Sequence, residues 1–306
     1  MTQTTIDWLR FRTQAEPRAG LEALRGLFGD LGSSLSLRPL ERGMDGFQQA
    51  CTVGIADMPL GRCDFGGDSQ RGWVRWNFPG KGCEWVKDWD ALAEVEALPA
   101  SEIRRVDIAL TTWEGEVTHE CVVAAHEVGL FGCGGRPPDM QIISSTNPRA
   151  GRTCSVGKRD SDKYFRAYEK GFEMASKLSC GGFDVTHLDG KRVEDIYRCE
   201  VELKAEARVL PWEIVERRDH YFSGCYPFLA ELLPDVGSDI LMRRPERAPQ
   251  TELLAALANC RVQYGATLYT ALRAYHGDMG RVWEQVIGQQ HNPNLLAAGV
   301  LLVDHE

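Results

Sequence analysis

The chain has no apolar run long enough to cross a membrane and no basic-then-apolar leader at its start. A cytoplasmic protein with no membrane partner is the expectation. None of its ten cysteines forms a Cys-x-x-Cys pair. Neither a zinc ribbon nor a redox dithiol is indicated, and reduced thiols are expected. Phosphate-binding and dinucleotide signatures are missing as well. Phe78-Pro79-Gly80-Lys81-Gly82-Cys83 has neither the spacing nor the hydroxyl residue of a P-loop, and Gly132-Cys133-Gly134-Gly135 lacks the third glycine of a Rossmann turn. No internal repeat or low-complexity segment is apparent. Positive charge is scarce: 35 Lys and Arg face 44 Asp and Glu, a formal net charge of −9. That balance opposes indiscriminate nucleic-acid binding but leaves room for a local basic track. Such a track exists in Arg136, Arg149, Arg152, Lys158, Arg159, Lys163, Arg166 and Lys170. Arg243, Arg244 and Arg247 form a second cluster.

The most informative stretch runs from Gly157 to Lys170. Read as a strand, Lys163 to Lys170 puts Tyr164, Arg166, Tyr168 and Lys170 on one face and Phe165 and Ala167 on the other. A phenol can attack phosphorus while cations hold the phosphate and its developing charge. An amphipathic strand with a solvated polar face has the same pattern.

Two further segments alternate in the same way. Arg105-Val106-Asp107-Ile108-Ala109-Leu110 sets Arg105 and Asp107 opposite an apolar side. Tyr197-Arg198-Cys199-Glu200-Val201-Glu202-Leu203-Lys204 sets Arg198, Glu200, Glu202 and Lys204 opposite Cys199, Val201 and Leu203. Paired in one sheet, these strands would gather carboxylates, cations and tyrosines on one surface. The carboxylates could hold magnesium or manganese through oxygen. They could equally form ion pairs with Arg105, Arg198 and Lys204.

Taken in order, Arg105-Val106-Asp107, Gly157-Lys158-Arg159-Asp160-Ser161, the Tyr164/Arg166/Tyr168/Lys170/Glu173 pattern and Arg198-Cys199-Glu200 resemble the replication initiation factor (Rep_trans) family. Its members are rolling-circle initiators of plasmids and filamentous phages, and related relaxases. Ile6-Asp7-Trp8-Leu9-Arg10-Phe11 is similar to the opening of phage members, and Gln263-Tyr264-Gly265 through Gly277-Asp278 to their helical C-terminal part. The resemblance spans roughly Ile6 to Gly288. It implies nicking of one strand of single-stranded or extruded origin DNA, in the host cytoplasm if the chain is phage-encoded. A tyrosine would join the 5′ phosphate and free a 3′ hydroxyl. A host helicase and polymerase would then be partners, and a homodimer a form of assembly.

Carried over residue by residue, the nucleophile maps onto Tyr164, with Tyr168 as second candidate. Arg166 and Lys170 map onto phosphate contacts. Asp107 and Glu200 map onto metal positions for Mg2+ or Mn2+, and Glu202 is a further ligand candidate. Phage relatives show a second acid soon after the first, where this chain has Thr111-Thr112. Arg152, Lys158, Arg159 and Lys163 are candidate DNA contacts, and Trp73, Trp76 and Trp113 candidate stacking rings. With no His-x-His pair, the histidine metal site of the other large nickase class is not expected. Two other readings share this surface: an origin or operator binder that does not cut, and a metal-dependent nuclease that uses water.

The pattern of elements predicts an α+β fold with a mostly antiparallel central sheet, flanking helices and a helical C-terminal part. Residues 1–240 are expected to form the nicking domain and 248–306 the helical region. Helices are predicted over Pro17 to Leu27, Glu84 to Ala97 and Thr118 to Val128. A meander is predicted over Met140 to Ser145, Arg152 to Gly157 and Lys163 to Lys170.

Overall fold

The computed structural model describes residues 3–132, 134, 137–178, 184–241, 253–292 and 295. Two compact units divide the chain, Met1–Arg243 and Arg244–Glu306. The second holds two helices, Leu253–Ala274 and Met279–Val286, among its described residues. Arg136, Cys133, Cys180, His305 and the cluster Arg243, Arg244 and Arg247 lie outside the described residues. No helix among the described residues is long and apolar enough to cross a membrane.

The first unit is built in two runs of like order. The first run is β1 (Thr5–Thr13), α1 (Pro17–Leu24), β2 (Leu35–Leu40), β3 (Gln49–Ile55), β4 (Met58–Phe65) and β5 (Val74–Pro79). Two short helices, α2 (Gly80–Cys83) and α3 (Leu92–Glu96), lead to the second run. It comprises β6 (Glu102–Thr112), α4 (His119–Glu127), β7 (Met140–Ile143), β8 (Thr153–Val156) and β9 (Lys163–Tyr168). After α5 (Lys170–Leu178) and the hairpin β10 (His187–Leu188) and β11 (Lys191–Arg192), it closes with β12 (Tyr197–Lys204). Helices α6 (Arg218–Ser223) and α7 (Pro227–Leu232) follow.

The ten long strands form one sheet, ordered β2-β3-β4-β5-β1-β6-β12-β9-β8-β7. All neighbours are antiparallel. Outward from the centre, one half reads β1, β5, β4, β3, β2 and the other β6, β12, β9, β8, β7. Each half is thus a strand and a helix followed by four strands, the last returning beside the first. The sequence shows no repeat, yet the topology is duplicated.

One sheet face is apolar. Phe11, Trp76, Ile108, Val201 and Phe165 are wholly buried there, joined by Leu24, Val122, Phe222 and Leu229 from the helices. Phe131 packs against Phe165, Tyr226 and Phe228 with ring centroids 4.9, 5.2 and 5.4 Å away. The helices and this face cover each other, which leaves the polar face clear for chemistry.

Three local readings of the sequence are corrected. The helix expected over Glu84 to Ala97 is only Leu92–Glu96; Asp90 falls in the turn before it, where its N–H donates to Asp88 Oδ1 at 3.0 Å. The strand expected to reach Lys170 ends at Tyr168, and Lys170 begins α5. Gly171 turns the chain there: its N–H bonds the Ile196 carbonyl, and a Cβ would sit 2.0 Å from the Val193 carbonyl oxygen. Pro211, which at the head of Pro211 to Glu216 would be expected to open a helix, precedes only the single 3-10 turn Trp212–Ile214.

The start of β1 is anchored by Asp219 on α6. Its Oδ1 accepts from the Thr4 backbone N–H at 2.8 Å and the Thr4 hydroxyl at 2.5 Å, and its Oδ2 from Gln3 N–H at 2.8 Å. Burial pushes the carboxyl pKa up, but these bonds outweigh it and hold the pKa below its usual value. Asp219→Ala is expected to lower stability at pH 7 by about 2–3 kcal/mol, read from urea midpoints. The group's folded pKa is depressed, so its contribution is present above the ordinary Asp range and fades as pH falls through the folded value. The gap between wild type and variant should therefore shrink in acid.

Candidate active site

Register places the candidate residues on the polar face in rows across β6, β12 and β9. In one row Asp107 stands opposite Glu202, and Glu202 opposite Tyr164. In the next, Ala109 faces Glu200, which faces Arg166 and then Ser155 on β8. In the third, Thr111 faces Arg198, which faces Tyr168. Alternation alone carries these side chains to one side, because every intervening residue is apolar and points into the core.

The three acids are almost completely buried, with Asp107 and Glu200 1% and Glu202 2% exposed. A buried carboxylate needs a cation or hydrogen-bond donors, and each has one. Arg105 donates to both Asp107 oxygens, at 2.8 and 2.6 Å. Its Nη2 also lies 3.0 Å from Glu202 Oε2, and Lys204 Nζ lies 2.9 Å from Glu202 Oε1. Arg166 pairs with Glu200 Oε1, and the Tyr168 hydroxyl donates to Glu200 Oε2 at 3.4 Å. The Trp8 ring lies against the Arg105 guanidinium, 4.4 Å from its centroid.

On β9 and β12, two buried atoms of this face have no hydrogen-bond partner: Glu202 Oε2 and Arg166 Nε. The Arg105 contact to Glu202 Oε2 is close in distance but is an ion pair without hydrogen-bond geometry. One acceptor in the row of Tyr164 and one donor in the next row thus lack hydrogen-bond partners.

The two tyrosines differ. Tyr164 is half-buried; Tyr168 is held by Glu200, and burial, followed by the Glu200 charge, pushes its pKa well above the phenol value. Asp107 is pushed up to about 7, first by burial, with Glu200 and Glu202 adding to it and Arg105 opposing it.

The sequence reading omitted one carboxylate. Ile6 pairs with Ile108 and Trp8 with Asp107, so Asp7 is an extra residue in a β-bulge. The bulge turns both Asp7 and Trp8 to the polar side, between the inward Ile6 and Leu9. Asp7 Oδ1 accepts from Arg198 Nη1 at 2.8 Å, while Arg198 Nε donates to Thr111 Oγ1 at 2.9 Å. An acid therefore does stand at the Thr111 end of β6, supplied by the neighbouring strand.

Other candidates lie elsewhere. Lys170 pairs with Glu173 at 2.9 Å, its ammonium 5.6 Å from the Tyr168 ring centroid. Lys163 is on the opposite face from Tyr164; it bonds the Cys225 carbonyl and lies over the Tyr226 ring. Arg152 pairs with Glu169 and Glu120 near the α4 side. Lys158 and Arg159 are exposed in the turn before β9. Trp76 is buried core, Trp113 packs in the small cluster around Ile196, and Trp73 lies under Arg12. His126 bonds the Pro138 carbonyl, a structural role.

Asp107, Glu200 and Glu202 offer the hard oxygen donors that magnesium or manganese takes. Their oxygens are paired with Arg105, Lys204, Arg166 and Tyr168, Glu202 Oε2 through the ion pair with Arg105 alone. Among the described residues no group of three or more His, Cys, Asp or Glu is arranged to hold a metal ion. Asp107, Glu200 and Glu202 would be the residues to hold such a cation, in exchange for their present ion pairs, and no step below is routed through one.

Residues 101–240, which hold β6 through β12, match the family model described as replication initiation factor. This bears out the resemblance drawn from the Arg105, Tyr164 and Arg198 motifs. No curated protein sequence matches the chain. Among solved structures, the chain is similar to one described as the structure of the rolling circle replication initiator protein from Geobacillus stearothermophilus. The TM-score is 0.48 and the identity 18%, over 66% of this chain and 74% of that one.

Asp107 yields a pH test. Its folded pKa is raised above that of an unfolded Asp, so its contribution to stability is present in acid and lost as pH rises through about 7. Relative to wild type, Asp107→Asn is expected to gain thermal stability between pH 5 and pH 8, read from melting temperatures. A difference that does not change with pH would contradict the raised value.

Proposed function

We propose that the chain initiates rolling-circle replication by nicking one strand of origin DNA through Tyr164. The observation that carries this reading is the row Asp107–Glu202–Tyr164. A half-exposed phenol stands there beside guanidiniums whose positions are fixed from beneath by buried acids. The family match over the same strands supports it.

In this reading a single-stranded or extruded segment lies on the polar face. Arg166 and Arg105 stabilise charge on the phosphoryl oxygens. Tyr164 Oη attacks phosphorus as the bond to the 3′ oxygen breaks. Glu202, directly opposite and with an undonated Oε2, takes the phenolic proton. The leaving 3′ oxygen takes a proton from solvent water and becomes a primer end, and the 5′ phosphate stays on the tyrosine. Attack by a 3′ hydroxyl on this ester would reseal the strand. The nicking chemistry is assigned to residues 1–240, with 248–306 a separate helical region. A host helicase and polymerase would act on the freed end. Homodimerisation is part of the same proposal.

Tyr168 is not the nucleophile in this scheme. Its phenol, half-buried like that of Tyr164, is bound to Glu200 and harder to ionise than a free phenol. Incubation with labelled single-stranded origin oligonucleotides, followed by a denaturing gel, tests the scheme. A covalent band is expected from wild type. Tyr164→Phe should abolish it with DNA affinity unchanged, and Tyr168→Phe should retain part of it. Cleavage without a covalent band would favour a water-using nuclease. Binding with neither cleavage nor a band would favour an origin binder. A nucleotide mapped by mass spectrometry to Tyr168 or Tyr221 would overturn the assignment.

A further inference from the structure

The first half of the duplicated sheet carries its own basic recess, next to the candidate active row. It has a volume of about 260 Å³ and is lined chiefly by Arg10, Arg12, Phe47, Trp73, Arg75 and Arg105, with the carboxylates of Asp45 and Glu206 at its rim. Arg10 on β1 stands opposite Arg105 on β6, one row from Trp8 and Asp107. The recess and the Asp107–Glu202–Tyr164 row therefore share Arg105.

Its cations are set as they are around Tyr164. Asp64 lies wholly buried under Arg75 and Arg62, at 2.9 and 2.8 Å, as Asp107 lies under Arg105. Arg75 is paired on its outer side with Asp45 as well, at 2.6 Å, and Arg12 with Glu102 at 2.5 Å, so the unbalanced positive charge of the recess rests on Arg10. Arg10 is the unbalanced member. It donates from Nε to Asn77 at 2.9 Å, and among the described residues it has no ion-pair partner. Arg75 Nε is buried and also unpartnered. Burial, then the charges of Arg75 and Arg105, lower the Arg10 pKa. An anion among these three guanidiniums would relieve that strain in charge.

The recess also carries rings. Trp73 lies 3.9 Å from the Arg12 guanidinium and Phe47 5.0 Å from that of Arg75. Guanidiniums beside half-exposed rings suit a nucleotide in a single strand, with phosphate on the cations and base on an aromatic face. A buried mononucleotide pocket would need hydrogen-bonding groups for a base edge, and this recess is walled by cations and rings instead. β1 lies three strand spacings from β9, about 14 Å, within reach of one strand laid across the sheet.

We propose that this recess holds a phosphate and base of the single strand, outside the nicked bond, and so fixes the strand's path across the polar face. The duplicated half serves as a strand-binding site while the other half does the chemistry. This rests on the nicking reading for its orientation, but not for the binding itself.

The test uses the full chain and a short labelled oligothymidylate, with affinity measured by anisotropy across salt concentrations. Arg10→Gln is expected to weaken affinity about tenfold and to reduce the salt slope by about 0.7, one phosphate contact on a single strand. Trp73→Ala should weaken it about tenfold with the slope kept. Arg10→Lys should keep the slope, which separates lost charge from lost fold, and thermal melts check folding of each variant. Affinity and slope unchanged in both Arg10→Gln and Trp73→Ala would overturn the proposal. So would displacement of the oligonucleotide by inorganic phosphate at equal phosphate concentration, which would assign the recess to a free anion. Adduct formation is scored in parallel. Weakened binding by Arg10→Gln with no adduct from wild type leaves this site standing and removes the nicking reading. An adduct from wild type with unaltered Arg10→Gln binding does the reverse.

Discussion

Everything on the polar face depends on carboxylates buried beneath guanidiniums. Asp107, Glu200 and Glu202 sit almost out of solvent's reach, and Arg105, Lys204 and Arg166 close over them. Removing one member of such a pair costs about 3–5 kcal/mol, because the other is left buried and uncompensated. In return the guanidiniums are held in place before any ligand arrives. Cations fixed in this way can meet a phosphate with little reorganisation, which is the property that phosphoryl transfer rewards.

The same device recurs in the first half, where Asp64 lies under Arg62 and Arg75. Topology accounts for the recurrence. Two runs of strand, helix and four strands meet at β1 and β6, so each half presents its first, last and penultimate strands near the middle of the sheet. Asp7 and Asp107 each follow a β-branched residue in the first strand of their run, Ile6 and Val106. The second run keeps tyrosines, Tyr164 and Tyr168, on β9, whereas β4, its counterpart, has Arg62 and Asp64 there. Tyrosines on the polar face thereby belong to the second half alone.

Much of this was legible in the sequence. Period-two alternation gave the three strands with their polar faces, and register then had little freedom, since a one-residue slip would bury the charges in the core. The α+β class and the antiparallel sheet followed from the same pattern. What was hidden depends on contacts distant in sequence. The bulge at Asp7 breaks alternation and shows only once β1 meets β6. Gly171 ends β9 because of the Val193 carbonyl, some twenty residues onward in the chain. Lys163 was legible as facing away from Tyr164, but its Cys225 and Tyr226 partners belong to a distant loop. The choice between metal ligation and ion pairing could not be made on paper, because Arg105 sits two residues from Asp107 in either case.

The central claim is that a single strand crosses the polar face with its scissile phosphate at Tyr164. The most direct measurement is a crystal structure of the Tyr164→Phe protein with an origin oligonucleotide. A phosphorus atom beside the ring of residue 164, with its oxygens toward Arg166 and Arg105, is the expected result. A strand bound on the helix-covered side, or a phosphate seated at Tyr168, would contradict it.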